Sequence, residues 1–209
     1  MAREIHIYDF DGTLFRSPDK PEWWDFSWYS AGPSLGRPCV PDKPGGDWWI
    51  GKTIQAARRS IASPDVLAVL MTGRTDTTPM RYRVPELLKQ AGLSFDQVLL
   101  NPGKDTAVWK AKMTARLIQQ HGPDSVHLWE DSQKNIKAIE AAVTKAGVSF
   151  VSDLIRATSK TPECELEDVE NLLDQGWLEP RWRTNIKNRV ARRYALRLAA
   201  RKAHAQLLR

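Results

Sequence analysis

The chain has 209 residues, which suits one domain carrying an insertion or a tail, with enough length for a sizeable core. No stretch approaches a transmembrane span, and acids together with His6 interrupt the first apolar run, so no signal peptide is expected. The two cysteines, Cys39 and Cys164, lie far apart without metal-type spacing. No disulfide framework is therefore expected, and a reducing cytoplasm is the default compartment.

The first element is Ile5 to Phe15, read as I-H-I-Y-D-F-D-G-T-L-F. It starts as a β-favouring apolar run and ends in a turn with Gly12. Alternate residues of a strand share a face, so Asp9 and Asp11 project together from its carboxyl end. In an open α/β sheet ligands bind at that end. Like charges so close repel unless a cation or proton lies between them, and Mg²⁺, which takes oxygen ligands, is the natural partner.

Residues 17–51 form an irregular insertion or small cap. Five of the nine tryptophans fall here, Trp23, Trp24, Trp28, Trp48 and Trp49, and Pro18, Pro21, Pro33, Pro38, Pro41 and Pro44 argue against long regular elements. Two readings stand. The tryptophans pin the loop to the body, or one or two of them stack on a base or sugar.

A helix is predicted over 52–62, then a strand over 66–71 followed at once by Thr72-Gly73-Arg74. A helix over 85–91, a strand over 95–100 and a helix over 105–120 come next, the last with Asp105 or Thr106 as N-cap. A strand over 125–129 ends in Glu130-Asp131. A helix over 133–145 and a strand over 148–151 follow. Such βα alternation with short connections implies a parallel sheet flanked by helices.

Beyond Asp153 the pattern changes. A linker is read near 159–162, an acidic helix over 163–175 and a basic helix from Thr184 onward. The domains expected are therefore a core, 1–158, and a helical extension, 159–209, basic from 181. Ten Lys or Arg and no acid occupy 181–209, so the tail carries +10 and the remainder, with 21 basic against 25 acidic residues, is mildly acidic at −4. Arg189, Arg193, Arg197 and Arg201 run beside Ile186, Val190, Tyr194 and Leu198. This is a basic stripe next to an apolar one. The apolar stripe packs on the body, or the basic one meets a polyanion such as nucleic acid or an anionic surface.

Taken together, D-x-D-G-T-L-F, Thr72 after a strand, a helical lysine and Glu130-Asp131 resemble motifs I to IV of the haloacid dehalogenase (HAD) superfamily. The resemblance spans roughly residues 4–152 and implies a three-layer Rossmann-like fold and a Mg²⁺-dependent aspartyl-phosphate mechanism. Asp9 would be the nucleophile and Asp11 the general acid and base. Thr72, with backbone N–H groups near Gly73, would hold the phosphoryl group. Mg²⁺ would bind Asp9, the Asp11 backbone carbonyl and Asp131, with Glu130 as second choice. Among Lys104, Lys110 and Lys112, Lys110 is preferred for motif III because it lies one turn inside its helix. Asn135 stands where the family more often has an acid.

A narrower resemblance rests on Arg16-Ser17-Pro18, Trp48-Trp49, T-G-R at 72–74, T-x-x-x-K at 106–110 and E-D at 130–131. These are similar to the HAD domains of Swiss Army Knife RNA-repair proteins and, more distantly, to polynucleotide 3′-phosphatase domains. The resemblance implies a phosphorylated nucleic-acid end as substrate, with Arg74 gripping its phosphate, or instead paired with Asp76 or Asp131. A small phosphorylated molecule, or a scaffold that only binds nucleic acid, are the alternatives. Four histidines, His6, His121, His127 and His204, lack metal-ligand spacing and are read as structural or surface residues.

Overall fold

Ile5 and Ile7 on one side and Tyr8 on the other are fully buried, because β1 (Glu4–Tyr8) runs through the middle of a sheet covered on both faces. The computed structural model describes residues 3–20, 27–37 and 39–156. Trp23, Trp24, the boundary expected near 158, the linker, the acidic helix, the basic tail, Cys164 and His204 lie outside the described residues. After β1 come α1 (Gly51–Ala62), β2 (Val66–Thr75), α2 (Thr78–Gln90), β3 (Gln97–Asn101), α3 (Thr106–His121), β4 (Ser125–Glu130), α4 (Gln133–Lys145) and β5 (Ser149–Leu154). All five strands pair in parallel in the order β3-β2-β1-β4-β5.

Two apolar clusters cover the two faces. Tyr8, Leu70 and Trp129 pack with Ile54 and Ala57 of α1 and Val84 and Leu87 of α2. Ile7, Val69 and Leu128 pack with Leu117 of α3 and with Ile139 and Val143 of α4. Each fully buried aliphatic side chain here stabilises the fold by about 1.5–3 kcal/mol. The result is the expected three-layer α/β arrangement.

The sheet order reverses at β1. The chain first adds β2 and β3 on one side and then β4 and β5 on the other. Asp9, just past β1, donates its backbone N–H to Trp129 O of β4 at 3.0 Å, so Asp9 and Glu130 end up side by side. A register shift between β2 and β3 falls at Thr72–Thr75, where Gly73 and Arg74 bulge out of the ladder toward the same edge.

One local expectation changes, and one left open between two residues is resolved. Helix α2 starts at Thr78 and encloses Pro85, rather than starting there. Burial of Met80, Val84, Leu87 and Leu88 outweighs the hydrogen bond that proline cannot donate. The N-cap of α3 is Asp105, whose carboxylate accepts from Val108 N at 3.1 Å.

The described part of the insertion contains short 3-10 turns at Trp28–Ser30, Gly32–Ser34 and Gly46–Trp48. Trp28 is buried and its indole N–H donates to Pro18 O at 2.7 Å. Trp48 and Trp49 pack against the Phe15 ring, stacked at 5.6 Å and edge-on at 4.9 Å. Backbone bonds from Arg16 N to Trp48 O and from Ile50 N to Leu14 O close the insertion back onto the first turn. His6 and His127 sit on the sheet face that carries Trp129. His6 bonds Ser60 and Glu4, and His127 bonds Asp153.

Candidate active site

Asp9 is only 6% exposed, at the carboxyl end of β1. The chain then folds over itself, with the N–H groups of Thr13, Leu14 and Phe15 all pointing at Phe10 O. Gly12 has φ +67°, and a Cβ there would collide with the Asp131 carboxylate. Glycine is therefore required twice, for the left-handed backbone and for the approach of Asp131.

Lys110 comes from α3 and is almost completely buried. Its ammonium lies 2.7 Å from Asp9 Oδ1 and 2.6 Å from Glu130 Oε2. The contact to Asp9 is an ion pair without an aligned hydrogen bond, so Asp9 Oδ1 keeps an unused lone pair. The choice among lysines is thus resolved geometrically. Lys110 is in the site, whereas Lys104 is exposed and its backbone N–H bonds Asn101.

Glu130 is fully buried. Besides Lys110, it accepts a bond from Ser132 N at 3.0 Å. Asp131 is exposed as a residue, yet its carboxyl is pushed up to about 7 by partial desolvation first and then by the hydrogen bond and charge of Glu130. Asp9 is held well above its ordinary value, chiefly by burial and then by the Glu130 charge, against the pull of Lys110. Glu130 is lowered: Lys110, through its charge and hydrogen bond, outweighs the upward push of burial.

Asp9, Glu130 and Asp131 each present an oxygen within 4.8 Å of the others. Fully ionised, the three carboxylates would exceed the one ammonium by two charges, and the raised Asp9 and Asp131 carboxyls carry part of that repulsion. Hard oxygen donors, this charge deficit and the unused lone pair of Asp9 fit a divalent ion of the Mg²⁺ type. The Asp11 side chain is directed elsewhere.

Asp11 is gripped by Arg74. The guanidinium Nε donates to Oδ1 at 2.9 Å and to Oδ2 at 3.0 Å, and Nη2 donates to Oδ1 at 2.7 Å. The Ser17 hydroxyl also donates to Asp11. Arg74 itself is fully buried and extends Nη1 to the Ser34 hydroxyl. Of the partners considered from sequence for Arg74, neither is found, since Asp76 pairs with Arg81 and Asp131 lies with Glu130. Thr72, fully buried, accepts from Arg74 N at 3.2 Å, which leaves its own hydroxyl hydrogen to donate. A Cβ on Gly73 would come within 3.0 Å of Thr106, so glycine lets the start of α3 close over Thr72-Gly73-Arg74.

The profile of HAD domain family 1 in Swiss Army Knife RNA repair proteins matches residues 22–175. The chain belongs to this family. Similar solved structures include the HAD domain of effector protein Lem4 from Legionella pneumophila, at 11% identity and a TM-score of 0.49, covering 83% of this chain and 94% of that one. The inactive mutant of that domain aligns at 11% identity and 0.49, over 86% and 100%. UDP-GlcNAc 2-epimerase from Neisseria meningitidis aligns at 8% identity and 0.39, over 71% of this chain and 31% of its own length.

In this HAD domain the sequence reading brought Asp9, Lys110, Glu130 and Asp131 to one place, with Asp11, Thr72 and Arg74 beside them. It missed Tyr29 and Ser34, which the insertion delivers to Arg74. Their only signal was membership of an aromatic-rich segment between motif I and the first helix.

Proposed function

We propose that this protein is a Mg²⁺-dependent phosphohydrolase working through an aspartyl-phosphate on Asp9, with phosphorylated nucleic-acid ends, foremost 3′-phosphates, as its substrates. The observation that carries the chemistry is Lys110, buried between Asp9 and Glu130 while Asp131 reaches over Gly12. Membership of a family named for RNA repair proteins supports the substrate.

In the first half-reaction an Asp9 carboxylate oxygen attacks phosphorus. The bond from phosphorus to the leaving oxygen breaks, and Asp11 gives that oxygen a proton. In the second, Asp11 takes a proton from water as the water attacks phosphorus. Orthophosphate leaves and Asp9 is regenerated. The Thr72 hydroxyl and the backbone around Gly73 bind the phosphoryl oxygens. Lys110 keeps Asp9 oriented and offsets its charge. When bound by Asp9, Asp131 and Glu130, Mg²⁺ would offset the repulsion between an anionic nucleophile and an anionic ester. Arg74 fixes the direction of Asp11.

The test is phosphate release from a 3′-phosphorylated oligoribonucleotide with Mg²⁺. Asp9→Asn and EDTA should each abolish it. A strong preference for mononucleotides would assign the site to small molecules. RNA binding with steep salt dependence but no turnover would reduce the protein to a binding scaffold.

A further inference from the structure

The insertion sets an aromatic ring, that of Tyr29, against the Arg74 that grips Asp11. Trp48 and Trp49 are engaged by the Phe15 ring, and Trp49 also lies edge-on to Phe10. Tyr29 is different. Its ring lies over the Arg74 guanidinium, with Cζ 5.5 Å from the centroid, and 45% of the residue is open to solvent. Arg74 in turn grips Asp11, so one buried side chain separates the open ring from the proton-carrying carboxylate. The Tyr29 phenol is raised, by burial first and then by the Asp11 charge, as expected for a ring at the rim of this site.

The ring is also held in place. Its neighbour Trp28 is buried and bonded to Pro18 O, and on the other side Ser30 O accepts from the Thr77 hydroxyl. Ser34, bonded to both Ala31 O and Arg74, ties the following turn to the same guanidinium. A ring ordered before binding loses little entropy when a ligand stacks on it.

We propose that Tyr29 is the stacking platform for the terminal nucleobase of the substrate, so that the site recognises a nucleoside carrying the phosphate. This assignment rests on the function proposed above and adds the residue that reads the nucleic-acid part. Base–aromatic stacking tolerates any base, since every base has a π-face, and it extends the Arg74–Tyr29 pair outward.

The experiment compares two 3′-phosphorylated oligoribonucleotides, one intact and one lacking only its terminal base. Wild type should favour the intact end by about tenfold in kcat/KM, within the range that one stacked base supplies. Tyr29→Phe should keep that preference. Tyr29→Ala should bring it close to unity through a higher KM for the intact end. An unchanged preference in Tyr29→Ala, or none in wild type, overturns the assignment while leaving the phosphatase reading in place. Failure of wild type to release phosphate from either end instead removes the reading beneath it. A phosphotyrosyl peptide preferred over both ends would give the ring to a protein substrate and also overturns the assignment.

Discussion

Lys110 takes one positive charge into an almost fully buried position, and two carboxylates meet it there. Burying such a group costs several kcal/mol that the pairing must offset, so the arrangement is better explained by chemistry than by stability. Arg74 shows the same economy. Its planar fork meets both oxygens of Asp11, a geometry lysine cannot reproduce. Arg74→Lys should therefore lower kcat by about a hundredfold, the scale on which misplacement of a reacting group acts. The loss should be confined to esters with poor alcohol leaving groups, which need a proton from Asp11. Equal loss on p-nitrophenyl phosphate, whose leaving group needs little help, would mean that Arg74 only supports the fold. The pairing with Asp11 was not legible in the sequence, because it joins positions 11 and 74 through a bulge that no periodicity announces.

At the level of elements, the strands and helices of the core follow from apolar runs and their punctuation. Gly122, in the left-handed region, ends α3, and Gly147 follows α4 in the same way. Helix α2 shows where local rules lose. Pro85 reads as a helix start, yet Pro79 takes the first turn and Pro85 sits inside, on the exposed side. The apolar stripe Met80, Val84, Leu87 holds the helix despite the missing donor. Pro85→Ala restores that donor toward Arg81 O. Against the extra freedom given to the unfolded chain, it should stabilise the protein by about 1–2 kcal/mol. Urea denaturation monitored by tryptophan fluorescence measures this. A destabilised variant would show that α2 is bent there by design of its packing. The insertion was legible as irregular but not in its contacts, since 3-10 turns carry no periodic signal and their partners are distant in sequence.

At the scale of the whole molecule, the reversal of sheet order at β1 brings the ends of β1, β2 and β4 to one edge and sets α3 across them. That is why a D-x-D, a threonine, a lysine and an E-D pair spread from Asp9 to Asp131 need not be near in sequence to act together. Their order was readable because each follows a strand or enters a helix. The insertion's role was not, because it approaches from outside the βα alternation. Among the described residues no helix is long and apolar enough to cross a membrane.

The central claim is that Asp9 is transiently phosphorylated. Borohydride reduces an acyl-phosphate, so the protein should be quenched with it during turnover of a 3′-phosphorylated oligonucleotide with Mg²⁺, then mapped by peptide mass spectrometry. Reduction of position 9 to homoserine, lost without substrate, is the result expected. Continued turnover with Asp9 unmodified, or with the modification at another carboxylate, would contradict it.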